Sequence, residues 1–375
     1  MTIATVDRPA AEKPLHEDPA RSYTLSARYY TSPEIHDRER EAIFYRSWIY
    51  AGHVEELNEP GSFITVPVID QNLAVIRGKD GKLRAFYNVC QHRAHELLRG
   101  RGRTPVITCP YHAWSYHLDG RLRSARGSQN VDGFNADEFC LKGIQVEQFG
   151  PFVFVNLDPD AAPLAEQAGG LLAEIRHHVP ELDTLTKVMT TTFELKANWK
   201  VIVDNFLECY HCEPAHPAFV QLVDMDTYRS VSHGIYSTHV SRSGRPDNKA
   251  YKFDPKADSQ IGAFWHLWPT MTFNVAPGDA NFALFYLQPL GPERTLQITD
   301  FYFADAEMTE QRKARLAYAN EVLAVEDNNL CESVQRGLHS RGYTQGRFIV
   351  DRDRTQISEH AVHHFHRLVA RALGD

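Results

Sequence analysis

Cys90-Gln91-His92 and Cys109-Pro110-Tyr111-His112 are two short Cys/His hooks, separated by the sixteen residues 93–108, and their reading decides the fold. Both hooks interrupt a β-rich pattern. Residues 62–69, 72–78 and 83–89 are short runs of alternating apolar side chains, and Lys79-Asp80-Gly81-Lys82 has the chemistry of a hairpin turn. The first hook therefore hangs from a β-meander. The second follows Val106-Ile107 and precedes another hairpin signal at Leu118-Asp119-Gly120-Arg121, so two β-loops are expected to converge.

Two thiolates and two imidazoles also complete a tetrahedral zinc shell. Zinc sites of that composition present a Cys pair and then a His pair, whereas each hook here carries one of each. That mixed order suits a [2Fe–2S] cluster of the Rieske type, with two Cys on one iron and two His on the other. Such a cluster passes one electron at a time.

Further along, residues 198–217 predict a helix that ends in a metal site. Trp199, Ile202, Val203 and Phe206 recur at helical spacing on one face, and Asp204, Glu208 and His211 follow at i, i+4 and i+7 on another. Pro214 and Pro217 stop the pattern, and the break lets His216 turn back toward His211. Two His and one carboxylate on one side of Fe(II) leave positions open for O2 and a neighbouring substrate. The carboxylate is sought downstream, in Val325-Glu326-Asp327-Asn328-Asn329-Leu330-Cys331-Glu332, late in a helix capped by Thr309 and running to about Gln335. Asp327 is the choice, and spacing alone leaves Glu326 and Glu332 open.

Taken together, these residues resemble the catalytic α subunits of Rieske non-haem iron oxygenases over most of the chain. Asn205-Phe206-Leu207-Glu208-Cys209-Tyr210-His211-Cys212 and Glu332-Ser333-Val334-Gln335-Arg336-Gly337-Leu338 are most similar to the branch acting on quaternary ammonium compounds such as carnitine and betaines. Ser340-Arg341-Gly342-Tyr343, Gly346-Arg347 and Ser358-Glu359-His360 extend that likeness. The resemblance implies Cys90, His92, Cys109 and His112 as cluster ligands and His211, His216 and Asp327 as ligands of a mononuclear Fe(II). It implies a head-to-tail homotrimer in which Glu208 links an iron-ligating His to a cluster His of the neighbouring chain. Ring-hydroxylating relatives commonly carry Asp at that position. Ala94 departs from the pattern, standing where many relatives carry Gly; a positive φ there would cost an alanine about 1 kcal/mol.

The implied fold is α+β: a β-rich Rieske domain and a helix-grip catalytic domain built on an antiparallel sheet. The expected organisation is an arm and helix over residues 1–46 that pack with the catalytic domain, a Rieske domain over 47–160, and a catalytic domain over 161–375. Pro9, Pro14 and Pro19 among polar residues suggest that 1–24 form a loose arm, and Ser32-Pro33 opens a helix. A helix over 162–179 leads into the catalytic portion, whose strands include 270–275, 282–287 and 297–303.

The 375 residues, 43% hydrophobic content and net charge of −8 fit a globular protein with a mixed surface. Neither a membrane span nor a signal-peptide core is visible, so the expected compartment is the cytoplasm. Nothing points to a nucleic-acid partner. Cys140, Cys209, Cys212 and Cys331 remain beyond the cluster pair, and Cys209 and Cys212 read as buried thiols beside the iron. His360, His363, His364 and His366 lack a carboxylate or Cys at matching spacing and read as part of a packing helix over 358–373.

The expected activity is that of a monooxygenase: O2 and singly delivered electrons oxidise a carbon beside a quaternary nitrogen, giving C–N cleavage or N-demethylation. No nucleotide-binding glycine fingerprint is present, so a separate NAD(P)H-dependent reductase must supply the electrons. Phe264, Trp265, Trp268, Phe273, Phe282, Phe285 and Tyr286 offer rings for a cation–π cage, although most strand aromatics only pack. Two rivals are an oxygenase of the same family acting on an aromatic acid or ether, and a bare electron carrier. The His211/His216 pair argues against the carrier.

Overall fold

The computed structural model describes residues 12–375, so the first part of the expected arm, residues 1–11, lies outside the described residues. The described chain divides into two compact units, one formed by residues 44–167 and the other by 12–43 together with 168–375. Both are built on antiparallel sheets, in which neighbouring strands run in opposite directions.

The unit 44–167 carries a seven-stranded sheet in the order Ile49–His53, Phe152–Asn156, Gly143–Phe149, Leu83–Tyr87, Gln71–Arg77, Ser62–Val68 and Arg101–Arg103. Gly81 turns the hairpin between two of these strands at φ 76°, and Asp80 Oδ1 accepts the Lys82 N–H at 3.2 Å. Such a turn needs the left-handed backbone that glycine adopts without strain. A smaller sheet pairs Ile107–Thr108, Ser115–Tyr116 and Leu122–Ser124. Phe63, Ile76, Phe86, Trp114 and Tyr116 form a core that also encloses Cys90 and Cys109.

The second unit holds another seven-stranded sheet, ordered Thr186–Leu195, Arg294–Phe303, Asn281–Gly291, Met271–Val275, Gly262–Leu267, Tyr236–Ser241 and Arg229–His233. Six of its strands form a consecutive meander. Strand alternation sorts the aromatics. Phe264, Phe285 and Phe301 face a cavity, whereas Trp265, Phe273 and Phe282 alternate to the other face and are buried there. Helix Leu171–His178 covers that other face, with His178 5.8 Å from the Trp265 ring. The cavity face is covered by helices Trp199–Phe206 and Ala324–Leu338, and Phe206 meets Phe285 edge-on at 5.2 Å.

Several local expectations change. The expected helix over 162–179 is two helices, Leu164–Gln167 and Leu171–His178, because Gly169 adopts φ 52° between them. The first of these belongs with residues 44–167 and not with the catalytic portion. The helix expected over 198–213 stops at Phe206. There the Glu208 carboxylate accepts the backbone N–H groups of Tyr210 and His211, offering the backbone a turn in place of further helix. Pro214 then lies inside the short helix Cys212–Ala215. Cys209 and Cys212, expected as thiols, are joined as a disulfide across this turn, their Cα atoms 4.9 Å apart. The described part of the arm is not loose: Thr24 N–H donates to Gly346 O at 3.1 Å, and Gln345 bonds Lys13 and Thr24. No helix among the described residues is long and apolar enough to cross a membrane.

The N-terminal helix Pro33–Glu39 is fastened to helix Trp199–Phe206 by a fully buried ion pair, Glu39 with Lys200. Glu39 also accepts the Trp199 indole N–H at 2.9 Å, and Lys200 Nζ donates to Asn198 Oδ1 at 2.8 Å. Burial pulls the Lys200 pKa down, and Glu39 opposes that. Removing one partner strands the other charge in a dry interior. Glu39→Ala is expected to cost about 3–5 kcal/mol of stability, measured by urea unfolding; a loss within about 0.5 kcal/mol would show that Lys200 does not depend on it.

Candidate functional site

The two hooks share one backbone scheme. Cys90 O accepts the Ala94 N–H at 3.1 Å and Cys90 N–H donates to His95 O at 2.8 Å; Cys109 does the same with Ala113 at 3.0 Å and Trp114 at 2.7 Å. Closing each loop this tightly puts Ala94 at φ 57° and Ala113 at φ 58°. The left-handed backbone that glycine would ease is therefore present in both loops. The His92 and His112 rings lie 4.7 Å apart, and His92 stacks on Trp114. Tyr116 Oη accepts the Gln91 N–H at 3.0 Å, which leaves its proton for Cys90 Sγ at 3.2 Å. His112 Nδ1 is buried without a hydrogen-bond partner among the described residues. A donor atom left in that condition fits a metal ligand. Cys90, His92, Cys109 and His112 could thus hold an asymmetric [2Fe–2S] cluster, with Tyr116 donating to one of its thiolates.

In the other unit, His211, His216 and Asp327 bring one ligand atom each to within 4.8 Å of one another, and theirs is the group of this kind among the described residues. Asp327 Oδ1 stands 2.9 Å from His216 Nε2 and 3.5 Å from His211 Nε2. The far nitrogens are held by other carboxylates. Glu208 Oε1 lies 2.5 Å from His211 Nδ1, and Glu326 Oε2 lies 2.7 Å from His216 Nδ1. Each imidazole therefore has its Nδ1 proton fixed by an acid and turns Nε2 inward, the arrangement that orients a metal-binding His. Glu326 is thus placed behind His216 and not among the inner atoms, while Glu332 accepts the Lys196 N–H at 3.0 Å. Asp204 points elsewhere, to Tyr30 and to His366 at 3.0 Å.

The electrostatics suit a cation between these groups. Burial disfavours an imidazolium at His211, but Asp327 and Glu208 outweigh it and its pKa is pushed up to about 9. His216 is raised in the same way by Asp327 and Glu326 against its burial. Burial would raise Asp327, yet the two imidazoles hold it below the ordinary carboxylate range. The three inner groups and two supporting acids form a nest that favours positive charge, and two His with one carboxylate match the donor set of a non-haem Fe(II) centre with open positions.

Beside this triad lies a cavity of about 230 Å³. Of the aromatics singled out from sequence, Phe264 and Phe285 line it. Sequence reasoning missed Phe206, Tyr228, Tyr251 and Tyr318, which line it too, along with Arg315. Phe206 was legible only as a core residue of its helix, and no local pattern marks the others, which come from two separate loops and the π-helical segment. The terminal His residues are away from it: His363 bonds His16 O at 2.8 Å and His366 bonds Asp204.

Two family models match the chain: the Rieske [2Fe-2S] domain over residues 47–135 and the ring hydroxylating alpha subunit (catalytic domain) over residues 182–375. The carnitine monooxygenase oxygenase subunit of Escherichia coli (strain K12) is 41% identical over 360 residues, covering 96% of each chain. That of Acinetobacter baumannii is 42% identical over 356 residues, covering 94% of this chain and 95% of its own. A solved structure of the quaternary ammonium Rieske monooxygenase CntA in complex with substrate L-carnitine is similar at 41% identity and a TM-score of 0.85, covering 95% of this chain and 97% of that one.

The loop geometry carries its own test. Ala94→Gly and Ala113→Gly, introduced together, are expected to raise stability by about 1 kcal/mol or less per site, read as a higher temperature of cluster bleaching. Destabilisation of similar size would mean that the alanine methyls contribute packing that outweighs backbone strain.

Proposed function

We propose, from the premise that this chain belongs to the ring-hydroxylating α subunits of the Rieske oxygenases, that its substrate is a small quaternary ammonium compound of the carnitine or betaine class. The chain is the oxygenase subunit of a multi-component monooxygenase, an oxidoreductase that carries a Rieske [2Fe–2S] cluster and a mononuclear iron and depends on a reductase. When bound, the cluster supplies single electrons and the mononuclear iron supplies the site of O2 activation. We assign Cys90, His92, Cys109 and His112 to the first and His211, His216 and Asp327 to the second. Electron delivery accordingly falls to residues 44–167, and oxidation to 12–43 with 168–375.

The observation that carries the substrate class is the cavity itself, in which a metal-binding triad opens onto rings including Phe206, Tyr228, Phe264, Phe285 and Tyr318. Such walls exclude water and attract a trimethylammonium group by their negative faces, with no anion needed to neutralise it. Oxidation of a carbon next to the nitrogen yields a carbinolamine-type product that loses the amine or a one-carbon fragment.

Glu208 suits the role of relay between subunits. A carboxylate offers about four lone-pair positions. His211 Nδ1 and the N–H groups of Tyr210 and His211 occupy three of these, leaving one for an imidazole of a neighbouring chain. We propose the head-to-tail homotrimer that this contact requires. A reductase drawing on NAD(P)H also fits the cytoplasm as the compartment.

Single turnover of reduced, iron-loaded protein with O2 and L-carnitine, γ-butyrobetaine, glycine betaine or benzoate, followed by mass spectrometry, tests the reading. Oxidised product is expected from an ammonium substrate; product from benzoate alone would overturn the substrate class. In the same assay Glu208→Gln is expected to keep iron and cluster while slowing electron delivery about 100-fold or more, because the amide cannot accept from both imidazoles. Turnover near the parent rate would remove Glu208 from the relay.

A further inference from the structure

Arg315 is a cation in the cavity wall that belongs to neither metal site. It lies on helix Glu310–Ala317 and borders the cavity, half-buried as a residue. Its Nη2 donates to the neutral Asn281 Oδ1, and the Phe303 ring lies 5.4 Å from its guanidinium carbon. Its Nη1 is buried and meets no hydrogen-bond partner among the described residues, nor does any carboxylate there pair with it. Nearby Asp279 is taken by Arg312, 3.3 Å from Nε. Burial pulls the Arg315 pKa below the ordinary arginine range. A buried cation without an anion is costly, and folds keep one where a ligand supplies the missing charge.

Helix phase aims Arg315 at the same space as the triad. Residues 310–338 run as one continuous helical stretch whose middle, Tyr318–Leu323, is π-helical. Twelve regular α-helical steps would leave Arg315 about 120° around the axis from Asp327. One inserted residue removes about 100° of that, so both side chains share a face roughly 16 Å apart, with Tyr318 between them. The cavity therefore has an anionic, metal-binding end at Asp327 and a cationic end at Arg315.

We infer that Arg315 receives the carboxylate of a zwitterionic substrate, so that the cavity reads both ends of the molecule: the ammonium group among the aromatic rings and the carboxylate at the buried guanidinium. The identity of that anion rests on the quaternary-ammonium reading; the existence of an anion site does not. Charge-assisted bonds from the guanidinium would orient the substrate with its nitrogen end toward the triad. A quaternary ammonium compound without a carboxylate, such as choline, leaves the guanidinium unpaired and is disfavoured for that reason.

Calorimetric binding to the iron-loaded protein tests this with three probes: L-carnitine, its amide L-carnitinamide, which keeps the ammonium group but lacks the carboxylate charge, and hexanoate. The parent is expected to bind L-carnitine at least about tenfold more tightly than L-carnitinamide. Arg315→Met should weaken L-carnitine about 10- to 100-fold and change L-carnitinamide by less than about threefold, with Arg315→Lys in between. Iron content and cluster absorbance identify a variant that has lost its fold, and Arg315→Lys and Arg315→Gln then carry the comparison. Equal losses for the acid and the amide, or no preference for the acid in the parent, would overturn the inference. If the parent ignores both carnitine probes but binds hexanoate in an Arg315-dependent way, the substrate class fails and the anion site stands. Failure of all three probes to bind the parent overturns the anion site.

Discussion

The Asp327 carboxylate, held between the inward nitrogens of His211 and His216, is the constraint on which the second unit depends. It joins segments more than a hundred residues apart in sequence, and neither segment can bury these groups alone. An acid and two imidazoles packed together without hydrogen-bond partners would be expensive. The structure meets that cost with two further acids, Glu208 and Glu326, so that every imidazole nitrogen at the site faces an oxygen. The same acids leave the inner face short of positive charge, the condition that favours a metal ion.

Everything around this pair is arranged to hold the two helices over one sheet face. Helix Trp199–Phe206 is anchored from beneath by the buried Glu39–Lys200 pair and from the side by Phe365, whose ring lies 5.6 Å from Trp199. The long helix is brought into register by its π-helical segment, which turns Asp327 onto the cavity face. Strand alternation does the rest, sending Phe285 and Phe301 inward and Phe282 and Tyr302 outward. In the other unit, two alanines held at positive φ are the consequence of folding each Cys/His hook into a closed loop.

How legible this was depended on whether the chemistry is local. The hooks, the paired histidines and the meander were readable because their residues are close in sequence and their spacings carry geometry. The choice between Asp327 and Glu326 was not, since adjacent carboxylates on a helix differ only in direction, and direction here depends on the π-helical segment. Helix length near the iron was misread because periodicity sees apolar residues and not the Glu208 carboxylate that competes for the backbone at Tyr210 and His211. The lining of the cavity was mostly invisible: Tyr228, Tyr251 and Tyr318 come from unrelated segments, and only tertiary packing brings them together.

The most direct test of the iron-binding triad is iron content, read with cluster absorbance, in the parent and in Asp327→Asn. About three irons per parent chain and about two in the variant are expected, with the cluster spectrum unchanged, because the residues assigned to the cluster and to the mononuclear iron lie in separate units. A variant that keeps the third iron at parental affinity would contradict the assignment of Asp327, and a parent that never holds more than two would contradict the triad itself.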